Sequence, residues 1–246
     1  MAEPVTAPPP GHVRPSPLYW PLRFLLRTVV QLVLFGGHLR VEGQANVPRS
    51  GGLLVISNHI AGADPPLLAA CFPRPLHFMA KAEWFRNFFF SLLGRTMLCY
   101  PVIRHTADRS SLRFTLTLLQ AGEAVCVYPE GTRSRDLKLH APEAGAGFLA
   151  RRAGVPILPV ATWGGESVLP TGAKFPHRTG TEVHLVFGEP FSLPDSKMDN
   201  QETAEYMMSR VAAMLPPEYR GYYQDWQPGT SGRHRRLRPQ TEARTA

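Results

Sequence analysis

Along the middle of the chain, short apolar segments alternate with segments of helical periodicity. That order constrains the fold more than any other feature. Strands are predicted at Leu39–Val41, Leu53–Ser57, Leu76–Ala80, Met97–Val102, Ala124–Tyr128, Ile157–Thr162 and Val183–Phe187. Helices are predicted from Pro65 to Cys71, over Glu83–Leu93, Arg109–Gln120 and Gly145–Ala153, and finally over Met198–Leu215. In the third of these, Leu112, Leu116 and Leu119 share one face and Gly122 follows as a stop. Such alternation predicts an α/β fold: a central, mostly parallel or mixed sheet flanked by helices. A chain of 246 residues has room for one domain of this kind.

Charge narrows the partners. With 27 basic and 19 acidic residues the chain carries +8, which calls for an anionic partner. Nucleic acid and anionic lipid are the main classes. No helix-turn-helix, zinc-finger or RNA-binding pattern is present, so nucleic acid is not expected. Cys71, Cys99 and Cys126 sit in apolar surroundings without metal-ligand spacing. They read as buried thiols of a reducing compartment, and neither a metal nor any other cofactor is predicted.

The two ends read as disordered. Residues 1–17 are rich in Pro and Ala and show no signal peptide. Residues 227–246 carry five arginines against Glu242, a solvated tail or a tether to acidic lipid. Leu18–Gly37 is apolar, but Arg23 and Arg27 interrupt it before the roughly 20 residues that a membrane span needs. Arg23, Arg27 and Gln31 instead form one polar stripe. An amphipathic helix over 18–37 is predicted, lying in a membrane interface with its arginines toward the headgroups. The block Trp84–Phe90 has two readings, a buried core helix or part of a membrane-facing or acyl-receiving surface.

Chemistry concentrates in two polar clusters, each at the end of a predicted strand. The first is Asn58-His59-Ile-Ala-Gly-Ala-Asp64; the second is Tyr128-Pro-Glu-Gly-Thr-Arg-Ser134. In open α/β sheets, sites gather at strand ends. A histidine oriented by a carboxylate is a general base for a hydroxyl. An arginine on a glycine turn suits phosphate. Asp64 also has a plain structural reading as the N-cap of a helix that begins Pro65-Pro66.

Two further blocks accompany these clusters. Tyr100-Pro-Val-Ile-Arg104 follows Lys81-Ala-Glu83, and Val155-Pro-Ile-Leu-Pro-Val160 closes the series. With four blocks in this order, the chain resembles the glycerolipid acyltransferase superfamily, specifically the PlsC-like bacterial 1-acylglycerol-3-phosphate acyltransferases. The resemblance covers roughly residues 38–220, including Gly188-Glu-Pro190, and marks 38–226 as the acyltransferase domain.

The resemblance implies a reaction. His59 would take the proton of the free hydroxyl of lysophosphatidic acid while Asp64 orients its ring. The hydroxyl would attack an acyl thioester, acyl-CoA or acyl carrier protein, and give phosphatidic acid. Arg133 would bind the glycerol phosphate in a pocket shaped by Glu130, Gly131 and Thr132. Arg104 and Lys81 are further phosphate candidates, and Asn58, Pro129 and Pro159 support the motifs. The enzyme would work at the cytoplasmic face of an anionic membrane, peripheral or monotopic. Glu143 departs from the pattern, standing where lysine or arginine is common. It leaves another lysophospholipid or a non-glycerol acceptor open. A non-catalytic lipid binder is the other class, but it has no need of the His59/Asp64 pair.

Overall fold

The computed structural model describes residues 15–30, 38–103, 108–168, 181–194 and 197–225. The predicted tail over 227–246, most of the leader and positions 31–37 lie outside the described residues.

Seven strands form one sheet in the order β1-β7-β6-β2-β5-β3-β4. They are β1 (Leu39–Glu42), β2 (Leu53–Ser57), β3 (Leu76–Lys81), β4 (Cys99–Val102), β5 (Ala124–Val127), β6 (Ile157–Trp163) and β7 (Val183–Phe187). All pairings are parallel except β6 with β7, which is antiparallel. The α-helices among the described residues are α1 (Tyr19–Thr28), α2 (Asp64–Cys71), α3 (Phe88–Thr96), α4 (Arg109–Gln120), α5 (Ala144–Ala153) and α6 (Asn200–Met214). The result is the single α/β domain that the alternation predicts.

Burial explains why β2 lacks an inside–outside alternation. All five of its residues are buried. Leu54 and Ile56 join the core under α4, α5 and α6, while Leu53 and Val55 join the core that also holds α2 residues. A strand covered on both faces has no polar side to show.

Pro159 lies inside β6, between β7 and β2, and not at an edge. Its carbonyl accepts from Gly188 N at 2.9 Å, so its missing N–H is lost on that same side. The antiparallel ladder steps around it, from Val160–Phe187 to the isolated bridge Ile157–Phe191. A side chain at Gly188 would collide with the Pro159 ring at 2.8 Å, which accounts for glycine there.

Three expectations change. The helix expected over Glu83–Leu93 is instead a 3-10 turn, Ala82–Arg86, followed by α3. Asn87 separates them by capping α3, its side chain accepting from Phe90 N at 3.2 Å. No residue of α3 is buried, so the core-helix reading of this apolar block is set aside. On α1, Arg23 does not turn outward with a polar stripe. Its guanidinium donates to the carbonyls of Ala69 and Phe72 and satisfies the C-terminal end of α2. No helix among the described residues is long and apolar enough to cross a membrane.

Candidate active site

Five of the parallel strands run in one direction, so β2 and β5 deliver their polar clusters to the same end of the sheet. His59 follows β2, and Tyr128 to Ser134 follow β5. Asn58 stitches the end of β2 to β6. Its side chain donates to Thr162 O at 2.7 Å and accepts from Thr162 N at 2.9 Å.

His59 is buried, and its Nδ1 lies 2.9 Å from Asp64 Oδ2. That oxygen also accepts from Ile60 N and Ala61 N, both at 2.8 Å. With two backbone N–H groups already donating to it, that oxygen is an acceptor, and the ring meets it best with the proton on Nδ1. Nε2 is then a lone-pair nitrogen that bonds no described group. Asp64 is therefore not the helix cap that its sequence context allows. It is the first residue of α2, the cap position is Ala63, and the carboxylate turns back into the loop. The Tyr128 ring stacks on His59, with centroids 4.3 Å apart and planes at 25°. Burial holds its phenol well above the usual value, so it stays neutral.

Glu130 is buried and ties two loops together. Oε1 accepts from His59 N at 3.2 Å and Oε2 from His140 N at 3.0 Å. Burial pushes its carboxyl up to about 7, against the pull of those two bonds. Both oxygens thus face backbone, not open space. Ser134 N donates to His59 O at 2.8 Å, a third tie between the clusters.

A cavity of about 670 Å³ opens beside His59. Met79, Val102, Leu112 and Leu149 give it apolar walls, and Tyr128, Pro129 and Gly131 line it together with His59. Gly131 adopts a left-handed φ of 70°, and an added Cβ would sit 3.3 Å from Glu143 Cγ. Glu143 lines the cavity as well, so the sequence departure falls inside the site. Asp108 lines it too, but Ser110, Ser111 and Ile103 N hold its carboxylate. Against the opposing effect of burial, these bonds lower it to about 2.

The cationic candidates stand apart from these walls. Thr132 and Arg133 are exposed. Arg133 directly precedes Ser134, which touches His59, and has no ion pair among the described residues. Lys81 ends β3 and pairs with Glu83 at 3.4 Å, outside the cavity lining. Arg104 lies outside the described residues. Pro129 is buried, and its carbonyl accepts from Glu143 N at 2.8 Å. Burial raises the thiols of Cys71 to about 11 and Cys99 to about 12, so neither serves as a nucleophile. Among the described residues, no group of three His, Cys, Asp or Glu is placed to hold a metal.

Sequence reasoning missed the outer support of the site. Leu139 N donates to Tyr219 O at 2.9 Å, and Tyr222 N donates to Leu139 O at 2.8 Å. Tyr219 packs on Ile60, Ala61 and Ala63, and its hydroxyl donates to Glu166 at 2.7 Å. No local pattern announces these contacts.

A family model described as Acyltransferase matches residues 38–163, just over half of the chain. A 1-acyl-sn-glycerol-3-phosphate acyltransferase of Bacillus subtilis is 28% identical over 70% of this chain and 83% of its own. One of Chlamydomonas reinhardtii is 32% identical over 74% of this chain and 54% of its own. The crystal structure of the 1-acyl-sn-glycerophosphate acyltransferase PlsC from Thermotoga maritima superposes with a TM-score of 0.59 at 25% identity, covering 80% of each chain. With that family model spanning more than half of its length, the chain belongs to the acyltransferase family.

Proposed function

We propose that this enzyme moves an acyl group from a thioester, acyl-CoA or acyl carrier protein, to the free hydroxyl of 1-acylglycerol 3-phosphate. The observation that carries the chemistry is the His59–Asp64 pair at 2.9 Å, with His59 lining a cavity that has apolar walls. Nε2 takes the hydroxyl proton as the oxygen attacks the thioester carbonyl. Asp64 stabilises the imidazolium formed. The C–S bond then breaks and the proton passes to the departing thiolate, so products are a new ester and a free thiol. No acyl-enzyme is required. The apolar walls suit an acyl chain, and the exposed Arg133 suits the phosphate outside them. The names of the relatives support this acceptor. Lysophosphatidic acid lives in a bilayer, which makes an anionic membrane surface at the cytoplasmic face the working partner.

Glu143 on the cavity wall favours a second reading, an acceptor with a cationic headgroup. One assay separates the two. Thiol release is followed with acyl-CoA or acyl carrier protein as donor. Lysophosphatidic acid, lysophosphatidylcholine and glycerol 3-phosphate are compared, for wild type and His59→Ala. Release that needs lysophosphatidic acid and His59 supports the proposal. Full turnover by His59→Ala, or preference for the choline lipid, removes it.

A further inference from the structure

Among the described residues, most of the exposed large apolar side chains lie in two places. Leu18, Trp20, Phe24 and Leu25 belong to α1 and its start; Trp84, Phe88, Phe89, Phe90, Leu92 and Leu93 belong to α3 and the turn before it. Phe24 is 73%, Phe88 73% and Phe89 76% exposed, levels at which most of the side chain faces outward. A soluble surface seldom carries such a concentration without a partner. The two sets are continuous. An apolar groove of about 280 Å³ joins them, with Leu22 and Leu26 on one side and Trp84, Phe90 and Leu93 on the other.

We propose that α3, together with α1, is a membrane-docking face, with Phe88, Phe89 and Leu92 entering the headgroup–acyl boundary of an anionic bilayer. Charge selects this occupant. Residues 15–30 and 81–97 hold five basic side chains against Glu83 alone. Arg27, Arg86 and Arg95 are exposed. Basic residues around an apolar face are drawn to acidic headgroups while the aromatics enter the boundary. A second copy of this chain would set two like-charged faces against each other. Position agrees with function. Strand β4 follows α3, with Cys99 on the groove and Val102 on the catalytic cavity. Ile103, next in the chain, is exposed and lines that cavity as well. A docked α3 therefore brings the cavity to the lipid surface. Because the acceptor proposed above is a membrane lipid, this docking rests on that reading.

The test uses the full chain and two readouts. The first is flotation with vesicles of phosphatidylcholine, with and without phosphatidylglycerol. The second is thiol release with either vesicle-embedded lysophosphatidic acid or a monomeric short-chain analogue. The variant carries Phe88→Gln, Phe89→Gln and Leu92→Gln, and Phe148→Gln on α5 is the control. The triple variant is expected to partition on the order of 100-fold more weakly. It should lose turnover on vesicles in parallel and keep turnover on the monomeric lipid. Brominated acyl chains should quench Trp20 and Trp84, and Trp84→Phe should reduce that quenching without abolishing it. Flotation of the triple variant equal to wild type overturns the docking, as does a wild-type dimer that these substitutions dissociate. Flotation that depends on α3 without turnover on any acceptor upholds the docking and removes the functional reading instead.

Discussion

Glu130 sets the sequence expectation against the geometry. The resemblance places it in the substrate pocket, whereas the structure gives each of its oxygens to a backbone N–H, from His59 and from His140. Glu130→Gln keeps one acceptor and turns an NH2 toward the other N–H. A buried donor left unpaired costs about 2 kcal/mol. For a domain of this size that is a melting temperature lower by about 4–8 °C. The same change loosens the backbone of His59, and if His59 acts as proposed, small misplacement of a catalytic group costs up to about 100-fold. The expected outcome is kcat down by roughly 10–100-fold, with KM for the acceptor little changed. Thermal unfolding and thiol-release kinetics on the same preparation measure both. The pH dependence adds a sign. Burial raises the folded carboxyl from 4.5 to about 7, so the folded state holds that proton more tightly than the unfolded chain. Glu130's contribution to stability then falls as pH rises from 4.5 to 7 and is level above. The stability gap between wild type and variant should narrow across that window. A variant of full stability and unchanged kcat, with a raised KM for the acceptor, would refute the backbone role.

Two shorter predictions follow from neighbouring residues. Asp64→Asn removes the charge that accepts from His59, Ile60 N and Ala61 N. It should lower kcat on the order of 10³-fold, and a rate within fivefold of wild type counts against the assignment. Arg133→Ala, at an exposed position, should leave the melting temperature in place and raise KM for a phosphate-bearing acceptor about tenfold or more. An unchanged KM moves the phosphate site elsewhere.

What was legible in the chain was local. Leu53–Ser57 and Val183–Phe187 are strands over the predicted residues because apolar runs with polar ends leave little choice. The order β1-β7-β6-β2-β5-β3-β4 was not legible. Buried strands such as β2 and β5 carry no mark that names a neighbour, and the reversed direction of β1 and β7 depends on connections remote from them. The helix over 83–93 was misplaced because an apolar block resembles a core, while its true divider was one residue, Asn87. At the candidate site, His59, Asp64 and Glu130 lie in two contiguous clusters and were legible as candidates. Tyr219 was not, since it acts through a backbone carbonyl on Leu139 and a hydroxyl on Glu166, both far away in the chain.

Asp64 shows how one dipeptide decides between a helix cap and a carboxylate turned toward His59. As an N-cap, Asp64 would accept from the second or third residue of the helix. The second is Pro66, which has no N–H, and the third is Leu67, whose N–H already bonds Ala63 O at 2.9 Å. The helix start thus offers the carboxylate nothing. Its strongest remaining donors are Ile60 N, Ala61 N and the His59 ring. Pro66→Ala restores a competing donor without touching the cavity wall or the base. It should lower kcat by about three- to tenfold, with a stability loss of about 0.4–1 kcal/mol from the freer unfolded chain. Kinetics and thermal unfolding separate the two effects. If kcat stays at the wild-type value while stability falls, the prolines only stiffen the chain, and the orientation of Asp64 is set by the loop alone.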